Sequence, residues 1–183
     1  MSQTVALFGG SFNPPHIGHV LAVAYLLSAT EVDEVWVVPV YEHAFGKDLA
    51  PYDKRRRMCE LAFDWLPGVR ILDVERELGG ESRTLFTVEA LKKRHPEVQL
   101  RLAIGSDVLD DLPQWHRFDR IAELAPPVVL GRAGHPHPDA PVAVLPEVSS
   151  TEVRAAAQVG EGLAGKVSRS VEAFIQAEGL YRR

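Results

Sequence analysis

Two histidines, His16 and His19, stand three residues apart behind a glycine pair in the string Gly9-Gly10-Ser11-Phe12-Asn13-Pro14-Pro15-His16-Ile17-Gly18-His19. The apolar run Thr4-Val5-Ala6-Leu7-Phe8 precedes the string and Val20 to Leu27 follows it, so it occupies a strand-to-helix turn. A helix starting near Ile17 puts both imidazoles on one face, each able to donate a hydrogen bond to a phosphate oxygen. Gly9 and Gly10 allow a sharp turn with bare N–H groups, and the positive end of the helix points at the same spot, so an anion is expected there. Gly18 keeps the space between the histidines free of a side chain that would crowd a phosphate chain. Taken alone, the pair also fits a structural turn with two solvated histidines, or half of a metal site. A closed zinc site needs about four ligands, and the single cysteine is Cys59, so no protein metal site is expected.

A second group lies near the C-terminus, in Val148-Ser149-Ser150-Thr151-Glu152-Val153-Arg154. The Ser149-x-x-Glu152 spacing is that of a capping box at a helix start. Hydroxyls and amides there, with an arginine one turn later, make a phosphate clamp; alone, the segment reads equally as a cap and a surface arginine. A third group is Gly105-Ser106-Asp107 followed by Trp115. Asp107 can accept hydrogen bonds from ribose hydroxyls and Trp115 offers a flat face to an aromatic ring, or they are a turn acid and a core aromatic.

Together these segments resemble the nucleotidylyltransferase superfamily, whose His-x-Gly-His motif is His16-Ile17-Gly18-His19 and whose Ser-Ser-Thr-x-x-Arg signature is Ser149 to Arg154. With Thr84-Leu85-Phe86-Thr87 and the Gly105 to Trp115 stretch, the chain resembles bacterial nicotinate mononucleotide adenylyltransferases over nearly its whole length. The resemblance implies transfer of AMP from ATP to nicotinate mononucleotide, with pyrophosphate released. It implies His16, His19 and Arg154 as catalytic groups, and Gly9, Gly10, Ser11, Phe12, Gly105, Asp107, Ser149, Ser150 and Thr151 with them as ATP contacts. Lys47, Thr84, Thr87 and Trp115 then bind the acceptor. Mg²⁺ is expected on the ATP phosphates, keeping most other ligands as water, with no protein cage.

The chain departs from that family's pattern at Leu85, Phe86 and Ala90, where hydroxyls are common, at His116 and in the Tyr41 to Pro51 loop. Another acceptor, such as nicotinamide mononucleotide or phosphopantetheine, therefore stays open, as does a sensor that binds nucleotide without turnover. The turn after the first strand lacks Gly-x-Gly-x-x-Gly, and the full Gly-x-x-x-x-Gly-Lys-[Ser/Thr] motif is absent from the chain, which argues against a redox dinucleotide enzyme and a phosphate-loop ATPase.

The elements that must position these groups alternate. Strands are expected at Thr4–Phe8, Glu34–Val40, Val69–Val74, Val98–Ile104, Pro127–Gly131 and Val142–Leu145. Helices are expected from Ile17, from an Asp53 cap to about Leu66, over Thr84–Arg94 and Gln114–Leu124, from Ser149, and over Ser168–Glu178. Glu75 to Arg83, with Gly79-Gly80, reads as a loop, as does Arg132 to Pro141, whose His135 and His137 lack companion ligands. The run Lys54-Arg55-Arg56-Arg57 reads as a solvated helix face. Alternation implies an α/β fold, a Rossmann-like doubly wound parallel sheet with helices on both faces, as one domain over residues 1–183.

Composition bounds the rest. In 183 residues, 46% are hydrophobic and 25% charged, enough for one sizeable core. A net charge of −5 argues against nucleic acid as a partner, and no apolar run reaches the roughly 20 residues of a membrane helix. A cytoplasmic location is expected, with ATP and a pyridine mononucleotide as partners and a homo-oligomer left open.

Overall fold

The N-terminal apolar run is the central strand. A computed structural model describes residues 2–43, 49–142 and 145–182. The elements run β1 (Thr4–Gly10), α1 (Ile17–Ala29), β2 (Glu34–Pro39), β3 (Glu42–His43), α2 (Tyr52–Phe63), β4 (Val69–Ile71), α3 (Val74–Leu78), β5 (Glu81–Ser82), α4 (Thr84–Arg94) and β6 (Gln99–Gly105). A tight 3₁₀ segment (Ser106–Gln114), α5 (Phe118–Leu124), β7 (Pro127–Leu130), α6 (Ser150–Gln158) and α7 (Arg169–Ala177) complete the chain.

Five strands form one parallel sheet in the order β4-β2-β1-β6-β7, and β3 pairs with β5 in a separate two-strand ribbon. Leu7 faces Trp36 on one side and Leu102 on the other. Side chains of β1 alternate between two cores, as a strand buried on both faces requires. Ala6 and Phe8 pack with Val23 and Leu26 of α1, Met58 of α2, Val153 of α6 and Val171 of α7. Val5 and Leu7 pack with Val74 of α3, Val88 and Leu91 of α4 and Ile121 of α5. The chain leaves β1 toward β2 and returns to its other side as β6, so the crossovers diverge above Gly10 and Gly105. Such a switch point opens a crevice at the carboxyl ends of the strands.

Several expectations need correction. The Glu75–Arg83 loop contains most of α3 and all of β5; four good helix formers, Glu75 to Leu78, fit a turn before Gly79, whose φ of 70° ends it. Strand β4 accordingly stops at Ile71, short of Val74. Pro51 occupies the cap position of α2, and Asp53 sits in the first turn paired with Arg76; the helix ends at Phe63, not Leu66. The expected Gln114–Leu124 helix begins only at Phe118, because Arg117 adopts a left-handed φ of 54° that breaks it. Ala143 and Val144 of the proposed last strand lie outside the described residues, and Leu145 forms only an isolated bridge to Arg132. Lys47 also lies outside them. Among the described residues no helix is long and apolar enough to cross a membrane.

The basic run on α2 is a solvated face only at Lys54 and Arg57. Arg55 is 1% exposed and donates to the carbonyls of Ala50, Ser11, Val40 and Tyr41 at 2.7–3.2 Å. Arg56 pairs with Asp73 and Glu60. One guanidinium thus ties the turn after β1 to the segments flanking residues 41–50.

Candidate active site

Above the switch point lies a cleft of about 550 Å³, within the range of small-ligand sites. Gly9, Gly10, Ser11, His16 and His19 line it from the β1 side, and Gly105 and Asp107 from the β6 side. Thr84, Thr87 and Trp115 line it as well.

The glycine pair works differently from the expectation. Gly9 and Gly10 belong to β1 with ordinary φ; the left-handed residue is Phe12, at φ 45°. A Cβ on Gly9 would meet nothing within 4 Å, so that position is open to a ligand, whereas one on Gly10 would press on the Phe12 ring at 3.2 Å. Phe12 itself is buried and is absent from the cleft wall. Its ring stands edge-on to His19, centroids 5.0 Å apart, and fixes that imidazole from behind.

His16 precedes the first residue of α1, and His19 lies in its first turn. The amide of Ile17 is taken by the carbonyl of Lys166. The two imidazoles lie nearly parallel, centroids 3.7 Å apart at 32°. His19 Nδ1 accepts the His16 backbone N–H at 3.1 Å, so the neutral ring carries its proton on Nε2. His16 Nδ1 is buried without a hydrogen-bond partner among the described residues. Burial first, and then the Arg132 charge, lowers the His16 pKa to about 4; burial, His16 and Arg132 hold His19 well below its ordinary value. Both rings are neutral near pH 7 and present donors, not charges.

Gly18 has a structural reason that the sequence did not disclose. A Cβ there would meet His16 Cε1 at 3.0 Å and Nδ1 at 3.1 Å, so it would push the imidazole out of place. Gly18→Ala should leave thermal stability within about 1 kcal/mol, helix propensity offsetting the crowding. Turnover should fall by about tenfold or more, since small misplacements of a catalytic group are costly. Unchanged turnover would show that the His16 position is immaterial.

The low His16 pKa also predicts acid sensitivity. Unfolded chain takes up the proton below pH 6.5, whereas folded chain resists it until about pH 4, so this stability is intact above pH 6.5 and lost as pH falls across that window. At roughly 1.4 kcal/mol per pKa unit the loss is about 3 kcal/mol. Urea midpoints at pH 7 and pH 5 test this: His16→Gln should fall less than the parent chain, and an equal fall would remove the linkage.

Asp107 folds back over Gly105, where any Cβ would come within 2.3 Å of its Oδ1. That contact explains the Gly-x-Asp spacing. Its Oδ2 accepts from Arg132 at 2.5 Å, and the second arm of the same guanidinium reaches the Val148 carbonyl at 2.5 Å. Arg132, a cleft residue missed by sequence reading, thus spans the Gly105–Asp107 turn and the entry to α6. Only the adjacency of β6 and β7 brings it there.

The second clamp forms but stands outside the cleft wall. Ser149 caps α6 by accepting the Glu152 N–H at 3.1 Å, one half of the expected capping box; the Glu152 carboxylate pairs with Lys166 instead of reaching back to Ser149. Ser150 donates to the Pro14 carbonyl, and Arg154 donates to the Asn13 carbonyl at 2.8 Å and to Thr151. Ser150 and Arg154 therefore brace the turn leading to His16, while Thr151 steadies Arg154 and Ser149 holds the start of α6. Trp115 is half-buried, edge-on to Phe118 at 6.1 Å. Thr87 is 2% exposed, its hydroxyl donating to Glu75.

A parallel sheet with its cleft at the switch point, lined by a neutral histidine pair and an arginine, defines a nucleotide-binding α/β protein. The cytidylyltransferase-like family model matches residues 7–156, and the chain belongs to that family. The relatives include a "Probable nicotinate-nucleotide adenylyltransferase" of Anaeromyxobacter dehalogenans (strain 2CP-C), 44% identical over 98% of this chain and 97% of its own. Another of the same name, from Myxococcus xanthus (strain DK1622), is 43% identical over 97% and 94%. Among solved structures, a Plasmodium falciparum nicotinic acid mononucleotide adenylyltransferase complexed with NaAD superposes with a TM-score of 0.85, covering 98% of this chain and 97% of that one. At 17% identity it establishes the shared fold.

Proposed function

We propose that this chain transfers AMP from ATP to nicotinate mononucleotide, forming nicotinate adenine dinucleotide and pyrophosphate. The 44% relative supports the activity. The observation that carries the mechanism is the stacked pair of neutral imidazoles, His19 fixed by the His16 N–H, lining one cleft with the open Gly9 position and Arg132.

A phosphate oxygen of the mononucleotide attacks the α-phosphorus of ATP, and the bond to the pyrophosphate oxygen breaks. The monoester is already anionic near neutral pH, so no base or protein nucleophile is needed. The work is positioning and stabilisation of charge on the transferring and leaving phosphates. His16 and His19 donate to those oxygens, and as neutral groups they need no proton exchange with solvent. Arg154 braces the His16 turn and Arg132 adds positive charge beside it. Trp115 stacks on the pyridine ring, and at the start of α4 the Thr84 and Leu85 amides, which the Arg83 carbonyl leaves free while it takes those of Phe86 and Thr87, are offered to the ring carboxylate. Mg²⁺ enters as part of the ATP substrate. The donor set suits that: two imidazole N–H donors address phosphate, and Asp107, the nearby carboxylate, is occupied by Arg132.

Incubation with ATP and nicotinate mononucleotide, followed by chromatography of the products, tests the proposal. Equal amounts of dinucleotide and pyrophosphate are expected. Binding of ATP without pyrophosphate release from any mononucleotide would make the chain a sensor.

A further inference from the structure

The buried carboxylate of Glu75 is used by none of the chemistry above. It sits on α3, is 7% exposed, and lines the cleft with Thr84, Thr87 and Trp115. A carboxylate there costs free energy that an apolar side chain would not, unless it is fully hydrogen-bonded. Its partners come from two separate segments. Glu75 Oε2 accepts the Tyr41 backbone N–H at 3.1 Å, and Oε1 accepts the Thr87 hydroxyl at 3.1 Å. Ser82 reinforces the first arm, its Oγ accepting the Tyr41 N–H at 3.0 Å and the Glu42 N–H at 3.3 Å.

Tyr41 lies just beyond β2, and Thr87 lies in the first turn of α4. Besides Glu75, these two segments are joined through the two-residue pairing of β3 with β5 and through the Ser82 hydroxyl, two residues ahead of α4. Arg55 holds the Tyr41 carbonyl from the opposite side, so the peptide after Tyr41 is not free to adjust. Glu75 carries that link on into the first turn of α4 itself, from the Tyr41 N–H to the Thr87 hydroxyl.

We propose that Glu75 is a positioning residue for the acceptor half of the cleft, holding the first turn of α4 in register with the segment after β2. It acts through Tyr41 and Thr87. The proposal rests on the adenylyltransferase reading, but it concerns whichever acceptor occupies that end. ATP, held by the β1 turn and Asp107, is not addressed by it.

Steady-state kinetics with each substrate varied in turn provide the test. Glu75→Ala should raise KM for nicotinate mononucleotide by about tenfold or more and leave KM for ATP within about twofold, as loss of placement at one subsite demands. Glu75→Gln should recover most of the loss. Its amide oxygen can accept from Tyr41 while its NH₂ donates to Thr87 Oγ, whose own proton then turns to the Arg83 carbonyl 3.5 Å away. Thr87→Val cuts one arm in a near-isosteric way and should raise the acceptor KM about threefold or more with ATP again unaffected; it serves if Glu75→Ala does not fold. Equal rises in both KM values, a fall in kcat alone, unaltered kinetics, or failure of Gln to rescue would overturn the proposal. If the chain prefers another mononucleotide, the KM rise should follow that acceptor, which separates failure of this inference from failure of the substrate assignment.

Discussion

His19→Ala is expected to lower turnover by at least ~10²-fold, the scale of removing one preorganised donor from a charged transition state. The His19 ring is held from three sides: the His16 amide fixes its tautomer, the Phe12 ring supports one edge, and the His16 imidazole covers its face. Such a group spends no free energy reorganising as charge moves onto the leaving pyrophosphate. The substitution leaves the His16 N–H without its acceptor and a gap beside Phe12, so the thermal midpoint should fall while the fold persists. His19→Asn, which keeps a donor but shortens its reach, should recover only part of the rate. Rapid-quench measurement of dinucleotide formation separates this chemistry from product release. A folded alanine variant with parental single-turnover rate would remove the histidine pair from the mechanism.

Arg55→Met is expected to lower stability by about 3 kcal/mol or more, since four carbonyls lose their buried donor at once. For a chain of this size that corresponds to a fall in Tm of about 6–12 °C. Arg55→Lys should recover only part, because an ammonium concentrates its donors on one atom and cannot spread them over carbonyls from separate segments. The same bonds fix the Ser11 carbonyl, so residual folded protein should also bind ATP less well. Calorimetry gives the first effect and ATP titration the second; a Tm within 2 °C of the parent, small beside the expected shift, would mean that water replaces the guanidinium without cost.

What could be read from the sequence was local or periodic. The glycine-to-histidine string announced its turn because the strand, the break and the helix are contiguous. Ser149 announced its cap because the partner is Glu152, three residues away. The unbroken apolar run of β2 marked a strand covered on both faces, and alternation of strands with helices gave the parallel sheet. Arg55 could not be read this way, since its burial depends on carbonyls up to 44 residues distant. Arg132 was hidden for the same reason in a loop without periodicity, and joins the cleft only because β7 lies beside β6. Glu75 was read as loop because Gly79-Gly80 outweighed a single helical turn. Asp107 was assigned from its turn alone, and its arginine partner 25 residues on was beyond local pattern. The reason offered for Gly18, room for a phosphate chain, was a plausible steric guess; the imidazole that needs the room became visible only with the helix in place.

The choice of acceptor depends on donors for a carboxylate rather than an amide. On the proposed reading, the Thr84 and Leu85 N–H groups at the start of α4 would serve both oxygens of nicotinate, whereas the NH₂ of nicotinamide would face one of them donor to donor. Trp115, in the cleft wall, would stack on either ring and should not discriminate. The measurement that tests this most directly is kcat/KM for nicotinate mononucleotide against nicotinamide mononucleotide, at saturating ATP and the same pH. The account predicts a ratio of at least ~10², from a donor site that rejects the wrong partner by leaving polar groups unmatched; equal values, or a preference for the nicotinamide form, would contradict it.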